Sequence, residues 1–367
     1  MKRVGFIINS RVPEFASFAK GMRPHNLLVG WDDAASPMSF MRFHWVADAL
    51  RGSDVRYELY RPWRRYDAVV FLKSMGPHCL ALAQRLRSDG TRIVFEANVD
   101  YYTRFDGEAQ LAAMSPSREQ RENAMAITEF ADVVIASSRH LAEVCSRINP
   151  RARWVPDNVN FSMVPEMTSV SPMRDGRVRI WWSGMADKLF EFLAAEEAFL
   201  TVARHVHLEL VTDDVNAAKK RWPVEVRDRL SRLLDRVPHT FHRFRDIPGL
   251  LKLYAAGGVI VSPRYLDVPY NLSHTEWKIT LGMACGLPAI ASPVPSYADV
   301  AERAGAGAVT ICEGVSDWTA ALESAVRGEN KGASEAAQKV VREHYATELV
   351  AKRHRKCVME ALEVSRS

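Results

Sequence analysis

The segment from residue 269 to residue 292 concentrates side chains that can do chemistry. It presents an amide, an imidazole, a hydroxyl and an ammonium group within eight positions, on Asn271, His274, Thr275 and Lys278. The free N–H groups and the dipole at a helix N-terminus favour negative charge. A helix that begins among these residues would therefore bind an anion such as a phosphate group.

The local pattern predicts that helix. Ser273 or Thr275 can cap its first free amides. Gly286 and Pro288 end it, because glycine accepts a left-handed cap and proline cannot continue a helix. Residues 289–291 then form a short apolar strand.

This segment resembles the donor-sugar motif of family 4 glycosyltransferases, which have the GT-B fold. The family pattern of Asn, a basic residue, Ser, Lys and then Glu-x-Met-Ala-x-Gly-x-Pro is matched by Asn271, His274, Thr275, Lys278, Met283, Ala284, Gly286, Pro288 and Ser292. Leu281 departs from it, since the family has a glutamate there that binds the ribose of the nucleotide. The resemblance implies that another group, such as Glu276, holds the ribose, or that donor binding is altered or lost.

A second stretch, residues 183–188, resembles the family turn that cradles the donor diphosphate. Gly184 matches the family glycine, Met185 stands where an arginine is usual, and Lys188 lies closer to the glycine than is usual. Arg264 is the candidate replacement for the missing arginine. Weaker similarities, at residues 131–138 and 154–160, extend the resemblance over most of residues 65–300.

Apolar strand patterns alternate with helical patterns along the chain, which is typical of parallel sheets. The predicted strands are residues 4–8, 68–72, 92–96, 131–136, 153–156, 178–182, 207–211, 258–261 and 308–312. The predicted helices include residues 40–50, 77–86, 121–130, 138–148, 188–204 and 248–256.

A linker composition at residues 157–176 separates two such sets. We therefore expect an α/β protein of the GT-B fold, with two Rossmann-like domains whose parallel sheets face each other across a cleft. The first domain, residues 1–160, would bind the acceptor, and the second, residues 177–335, the nucleotide sugar. The resemblance implies that a C-terminal helix, residues 336–367, crosses back toward the first domain.

Acceptor chemistry needs a group at the carboxyl end of a first-domain strand, where ligands bind in open parallel sheets. Asn98 and Asp100 follow such a strand, and Asp100 is the leading candidate for a general base or sugar-binding residue. The related family often has a histidine near Asn98. Further candidates are His44, His78, the pair Asp32-Asp33 and the loop at residues 10–14.

Composition narrows the class of protein. A hydrophobic share of 47%, a charged share of 25% and a net charge of +5 are those of an ordinary globular protein and do not demand nucleic acid. The five cysteines have no paired spacing, so no zinc site or disulfide framework is expected. The N-terminal sequence lacks a signal-peptide pattern, so we expect a cytoplasmic protein, with peripheral contact to the inner face of a membrane as an option.

Other nucleotide sites are not indicated, because neither a G-x-G-x-x-G pattern after the first strand nor a P-loop is found. GT-B enzymes resemble each other in needing no metal, and we interpret Asp32-Asp33 and Asp213-Asp214 as loop or cap residues. We expect no cofactor.

The expected function is a metal-independent transfer of a hexosyl or deoxyhexosyl group from a nucleotide diphosphate sugar. The acceptor would be a hydroxyl of a glycan, a lipid-linked glycan or a small molecule, in surface glycan or secondary metabolite biosynthesis. Two alternatives stay open at this point. One is a non-catalytic GT-B scaffold, favoured by Leu281, Met185 and Asn98, and the other is a nucleotide-sugar epimerase.

Overall fold

Two six-stranded parallel sheets form the framework of the protein. The computed structural model describes residues 1–8, 37–106, 114–166, 175–305 and 307–364. The first sheet contains β1 Lys2–Ile8, β2 Val55–Leu59, β3 Ala68–Leu72, β4 Arg92–Ala97, β5 Val133–Ala136 and β6 Ala152–Trp154. Its strand order is β2-β1-β3-β4-β5-β6.

The second sheet repeats this architecture. It contains β7 Val178–Ser183, β8 Val206–Thr212, β9 His239–Arg243, β10 Val259–Ser262, β11 Ala289–Ala291 and β12 Val309–Ile311. Its order is β12-β11-β10-β7-β8-β9, and every neighbouring pair is parallel.

Helices connect the strands and cover both sheets. In the first half they are α1 Pro37–Ser39, a π-helical segment Phe40–His44, α2 Trp45–Ala49, α3 Pro77–Ser88, α4 Arg118–Phe130 and α5 Arg139–Ser146. In the second half they are α6 Glu196–Val202, α7 Val215–Lys219, α8 Val224–Arg236, α9 Ile247–Tyr254, α10 Pro269–Leu272, α11 Trp277–Ala284, α12 Pro295–Ala304, α13 Val315–Arg327, α14 Ser334–His344 and α15 Thr347–Glu363. Short 3₁₀ segments lie at Phe161–Met163, Ala186–Ala195 and Glu329–Ala333. In the described part of the chain, helices long and apolar enough to span a membrane are not found.

The segment predicted as a single helix over residues 188–204 is divided. It begins as the 3₁₀ segment Ala186–Ala195 and becomes α6 only at Glu196. Eight residues of the 3₁₀ segment are buried, on all its sides. Such all-round burial is typical of a segment inside the core and differs from the single apolar stripe of a surface helix.

The chain passes between the two halves twice, and the two passages are tied together. Val159 donates its N–H to the carbonyl of Tyr345 at 2.8 Å and accepts from the N–H of Thr347 at 3.2 Å. Beside it, Asn158 accepts hydrogen bonds from the Thr347 hydroxyl at 2.7 Å and from the Trp277 indole at 3.0 Å. The crossing therefore contacts α11, the helix that lies within the segment of residues 269–292.

The last helix, α15, packs on the first sheet. Its Val350, Ala351 and Val358 belong to the same buried cluster as Val4 and Phe6 of β1. This helix lies far from β1 in sequence, so the core of the first half is completed by the C-terminal end of the described chain.

A buried polar chain anchors α15 further. His354 lies between Tyr57 and Glu96, with Nδ1 2.9 Å from the tyrosine oxygen and Nε2 3.2 Å from Oε2 of the carboxylate. The Nε–H of Arg42 donates to the other carboxylate oxygen of Glu96. Burial alone would raise the pKa of Glu96, but the Arg42 guanidinium and His354 lower it.

Replacing this carboxylate should weaken the fold. Glu96→Gln leaves the Arg42 charge without its main partner, so we expect the free energy of unfolding at pH 7 to fall by about 3–5 kcal/mol. Because the folded-state pKa of Glu96 is lowered, its contribution is present above the ordinary carboxyl pKa and is lost as the pH falls below it. Urea unfolding across that range measures both effects.

The matched control uses a second ion pair of α15. Asp54 pairs with Arg355 on the surface, and Asp54→Asn should change stability little because exposed pairs are weak. Equal losses in the two variants would contradict the importance of the buried chain.

Candidate functional site

A cavity of about 640 Å³ lies between the two sheets, at their carboxyl ends. It is lined by residues that follow strands of both sheets, including Lys73 after β3, Asn98 after β4, Gly184 after β7 and Asp213 after β8. Ligands of open parallel sheets bind at this edge. The cavity is therefore the candidate active site.

Most of the predicted site residues surround this cavity. Its lining includes Asn98, Gly184, Lys188, Arg264, His274, Thr275 and Lys278. Asp100 and Asn271 do not belong to the lining.

The helix predicted to begin near Ser273 or Thr275 starts later. α11 begins at Trp277, whose N–H donates to Oγ1 of Thr275 at 3.4 Å. Ser273 does not cap it, because its hydroxyl donates to the Tyr270 carbonyl and accepts from the N–H of Asp100. Lys278 thus lies in the first turn.

The Lys278 ammonium group is enclosed by protein. Its Nζ is inaccessible to solvent and makes no hydrogen bond within the described residues. It lies 4.8 Å from the centroid of the Trp182 ring, and a Cβ at Gly184 would come within 2.9 Å of it. Burial and the nearby Arg264 charge hold the pKa of Lys278 well below its ordinary value. A side chain at position 184 would displace the end of the lysine side chain and would lie 3.0 Å from the Trp182 ring.

Arg264 is a second enclosed cation. Its Nη1 donates to both carboxylate oxygens of Glu191, at 2.9 and 2.8 Å, and both side chains are fully buried. Nε and Nη2 have no hydrogen-bond partner among the described residues. Burial alone would lower the pKa of Arg264, but the Glu191 carboxylate and, to a smaller extent, the neighbouring Tyr297 hydroxyl raise it. Asn271 is next to this pair. Its Oδ1 lies 3.4 Å from Nη1 of Arg264, and its Nδ2 donates to the Tyr265 carbonyl.

Lys188 and His274 are two further basic residues of the cavity lining. Lys188 Nζ lies 4.1 Å from the centroid of the Tyr270 ring and contacts the sulfur of Met114 from the first half. Burial lowers the pKa of Lys188 to about 8. Burial and the surrounding charges, of which Arg264 is the strongest, hold the pKa of His274 well below 6.5. His274 is therefore neutral at pH 7, so it can donate a hydrogen bond to a phosphate but is unsuited to protonating one.

The two residues expected to act on the acceptor have different positions. Asn98 faces the cavity, and its Oδ1 accepts from the hydroxyl of Tyr101 at 2.5 Å. Asp100 is buried outside the lining, and one carboxylate oxygen accepts the N–H groups of Tyr102 and Thr103 at 2.7 and 2.9 Å. This geometry forms a turn and gives no support to Asp100 as a general base.

The position of the family's ribose-binding glutamate is also occupied differently. Leu281 is 1% exposed, packs in the core of the second half and does not line the cavity. Glu276, the suggested substitute, is equally buried and does not line it either. Burial raises the pKa of Glu276 well above its ordinary value, with a smaller contribution from Asp157.

Sequence reasoning missed Arg42 and the cavity position of Asp213. Arg42 lines the cavity and has an enclosed Nη2 without a partner in the described chain. Its only sequence signal is an arginine within the apolar helical pattern of residues 40–50. Asp214 caps α7, as interpreted from the sequence, whereas its neighbour Asp213 faces the cavity.

Two further first-half candidates, His44 and His78, do not reach the site. His44 packs against the rings of Phe40 and Phe43, and His78 is exposed at the start of α3, so neither lines the cavity. Residues 10–14 and the pair Asp32-Asp33 lie outside the described residues.

Comparison with known proteins agrees with this architecture. Neither a protein-family model nor a curated protein matches the chain. Among solved structures it is similar to HepE from Anabaena in complex with UDP and glucose, with 14% identity and a TM-score of 0.62 over 98% of this chain and 100% of that one.

Two further structures are similar. AviGT4, a glycosyltransferase involved in avilamycin A biosynthesis, has 14% identity and a TM-score of 0.62 over 99% of this chain and 98% of that one. Sucrose-phosphate synthase from Thermosynechococcus elongatus has 19% identity and a TM-score of 0.59 over 82% of this chain and 75% of that one. The predicted GT-B fold, with two Rossmann-like domains, is confirmed. Membership of family 4 stays a prediction.

Removing the enclosed charge at position 278 should stabilise the fold. Lys278→Met abolishes the cost of holding an ammonium group away from water, so we expect the free energy of unfolding at pH 7 to rise by about 1–3 kcal/mol. Because folding lowers the pKa of Lys278, the wild-type protein should also gain stability as the pH rises toward the ordinary lysine pKa. Urea unfolding tests both, and the variant should lack that gain.

Lys339→Met is the control, since Lys339 is 72% exposed on α14 and its replacement should leave stability nearly unchanged. A loss of stability in Lys278→Met would show that the ammonium group has a partner in the folded protein.

Proposed function

We propose that the protein is a glycosyltransferase that uses a nucleotide diphosphate sugar as donor. In the reaction the bond between the anomeric carbon and the β-phosphate oxygen breaks, and a bond from that carbon to the acceptor oxygen forms. The acceptor proton leaves to the diphosphate or to solvent, and a nucleoside diphosphate is released. The GT-B fold supports this class of reaction by analogy, since HepE and AviGT4 share it.

The observation that carries the proposal is the set of enclosed basic side chains at the cavity. Lys278 Nζ and Arg264 Nε and Nη2 are enclosed N–H donors without acceptors in the described part of the protein. Buried charged donors are costly unless an acceptor satisfies them. The lining also contains Lys188. A ligand group with two or three negative charges therefore fits these three basic side chains best.

A diphosphate leaving group has the required charge. Negative charge develops on the β-phosphate as its bond to the sugar breaks. Preorganised cations stabilise this charge most when water is already excluded from the site. Lys188, Arg264 and Lys278 would supply that stabilisation, so we propose that the transfer needs neither a divalent metal nor another cofactor. Rates unchanged by EDTA would support this part.

The acceptor would enter from the first-half side, where Asn98 and Lys73 line the cavity. We propose a hydroxyl of a glycan, a lipid-linked glycan or a small molecule in surface glycan or secondary metabolite biosynthesis. AviGT4 provides the analogy for a secondary metabolite.

A nucleotide-sugar-binding protein without transfer activity is the second candidate. It is favoured by Asp100, whose carboxylate is engaged in a turn outside the cavity. Binding measurements alone do not separate the two candidates, so the test includes turnover.

The first measurement is calorimetric titration of UDP, GDP, ADP and dTDP into wild-type protein and Lys278→Met. We expect at least one of these nucleotides to bind. The variant should lose about 1.5–3 kcal/mol of binding free energy, the size of a charge-assisted hydrogen bond. Lys339→Met should bind as wild type does.

The second measurement is the release of nucleoside diphosphate from the corresponding sugars, with a panel of acceptors analysed by mass. Formation of a glycosylated acceptor supports the transferase. Binding without product supports the second candidate. Absence of binding, or an unchanged affinity in Lys278→Met, would refute the proposed site.

A further inference from the structure

The carboxyl edge of the second sheet has an ordered series of chemical groups. Four neighbouring strands, in the order β10, β7, β8, β9, are followed by Arg264, Gly184, Asp213 and Phe244, respectively, and all four residues line the cavity. Adjacent strands lie about 4.8 Å apart. The edge therefore runs from cationic groups, through a carboxylate, to an aromatic ring.

That series matches the covalent order of a nucleoside diphosphate. Phosphate pairs with cations, a ribose diol donates hydrogen bonds to a carboxylate, and a base packs on an aromatic or apolar surface. The apolar end of the cavity is extended by Val211, Leu250 and Met41. A nucleotide whose diphosphate lies at Lys278 and Arg264 would thus place its sugar beside β8.

Asp213 has the free acceptor that such a contact requires. Its Oδ1 accepts the N–H of Ala186 at 2.6 Å and lies 3.3 Å from the hydroxyl of Thr212. Its Oδ2 makes no hydrogen bond within the described residues, and the side chain is exposed at the cavity. The contact with Ala186 fixes the carboxylate against the turn that contains Gly184.

The other carboxylates near the cavity are unsuited to this task. Among the described lining residues, the second carboxylate is Asp157, which is buried and paired with Arg42 at 3.2 Å. Glu191 is committed to Arg264, and Glu276 is enclosed outside the lining.

We infer that Asp213 binds the ribose hydroxyl groups of the donor, in place of the carboxylate that position 281 lacks. This inference rests on the proposed function and deepens it by naming the side chain that recognises the sugar of the nucleotide. It also places the recognition of ribose on a strand end instead of a helix.

The test compares ribonucleotides with their 2′,3′-dideoxy analogues by calorimetry. The tightest binder among UDP, GDP and ADP is titrated, with its dideoxy form, into wild-type protein, Asp213→Asn and Asp214→Asn. Wild-type protein should prefer the ribonucleotide at least about tenfold, the value of a hydrogen bond to a charged group. In Asp213→Asn this preference should fall below about threefold.

The asparagine variant keeps an oxygen for the Ala186 N–H, so its affinity for the dideoxy analogue should equal that of the wild type. Asp214 is the matched control because it caps α7 and does not line the cavity. Asp214→Asn should retain the full preference.

An undiminished preference in Asp213→Asn, or its absence in the wild type, would overturn the inference while leaving the proposed function intact. Wild-type protein that binds none of UDP, GDP, ADP and dTDP would refute the proposed function, and the inference with it.

Discussion

The buried pair of Arg264 and Glu191 is the interaction on which the candidate site depends. The guanidinium group stays charged when it is buried, so its burial costs free energy unless a carboxylate offsets it. Glu191 does so by accepting from a single nitrogen, Nη1. Nε and Nη2 have no hydrogen-bond acceptor among the described residues. Glu191 therefore offsets the charge of Arg264 but leaves two of its nitrogens without an acceptor there, and the amino groups of Lys278 and Lys188 line the same cavity. Burying these three basic side chains costs free energy, and a protein retains such a cost where ligand binding benefits from it.

Contacts between the halves determine the shape of the cavity as much as either sheet does. Ser273, between α10 and α11, accepts the N–H of Asp100 through its hydroxyl, and its carbonyl accepts from the hydroxyl of Ser138. Asn158 joins the crossing to the indole of Trp277 at the start of α11. The helix that carries Lys278 is thus held from two sides by the first half. The buried position of Asp100 thus has a structural explanation, because the turn that its carboxylate forms presents a backbone N–H to the other half.

Much of the fold follows from the sequence because buried parallel strands are continuous apolar runs. β3 has the bounds predicted for it, Ala68–Leu72, and β5 and β8 differ by one or two residues. The strands that were not predicted, β2 and β9, lie at sheet edges and carry charged or polar residues such as Arg56 and His239. Edge strands are often polar, and their pattern is correspondingly weak.

The residues of the site that belong to a sequence motif were predictable, and the others were not. Lys278 and Gly184 were singled out by their resemblance to family motifs, whereas Asp213 was interpreted as a loop or cap residue because GT-B enzymes resemble each other in needing no metal. Only the sheet order brings β8 next to β7 and the Asp213 carboxylate to the cavity. Burial likewise decides that Glu276 and Leu281 face the core, and a pattern of residue types does not contain that information.

The position of α15 has a consequence for the way the chain acquires its structure. Domains usually fold as units, the N-terminal one first during synthesis. Here Val350 and Val358 fill the same core as Val4, and His354 completes the partners of Glu96. One face of the first sheet consequently lacks part of its cover, and Glu96 lacks one of its two partners, until α15 has been synthesised. The second half, encoded later, can bury its own core sooner.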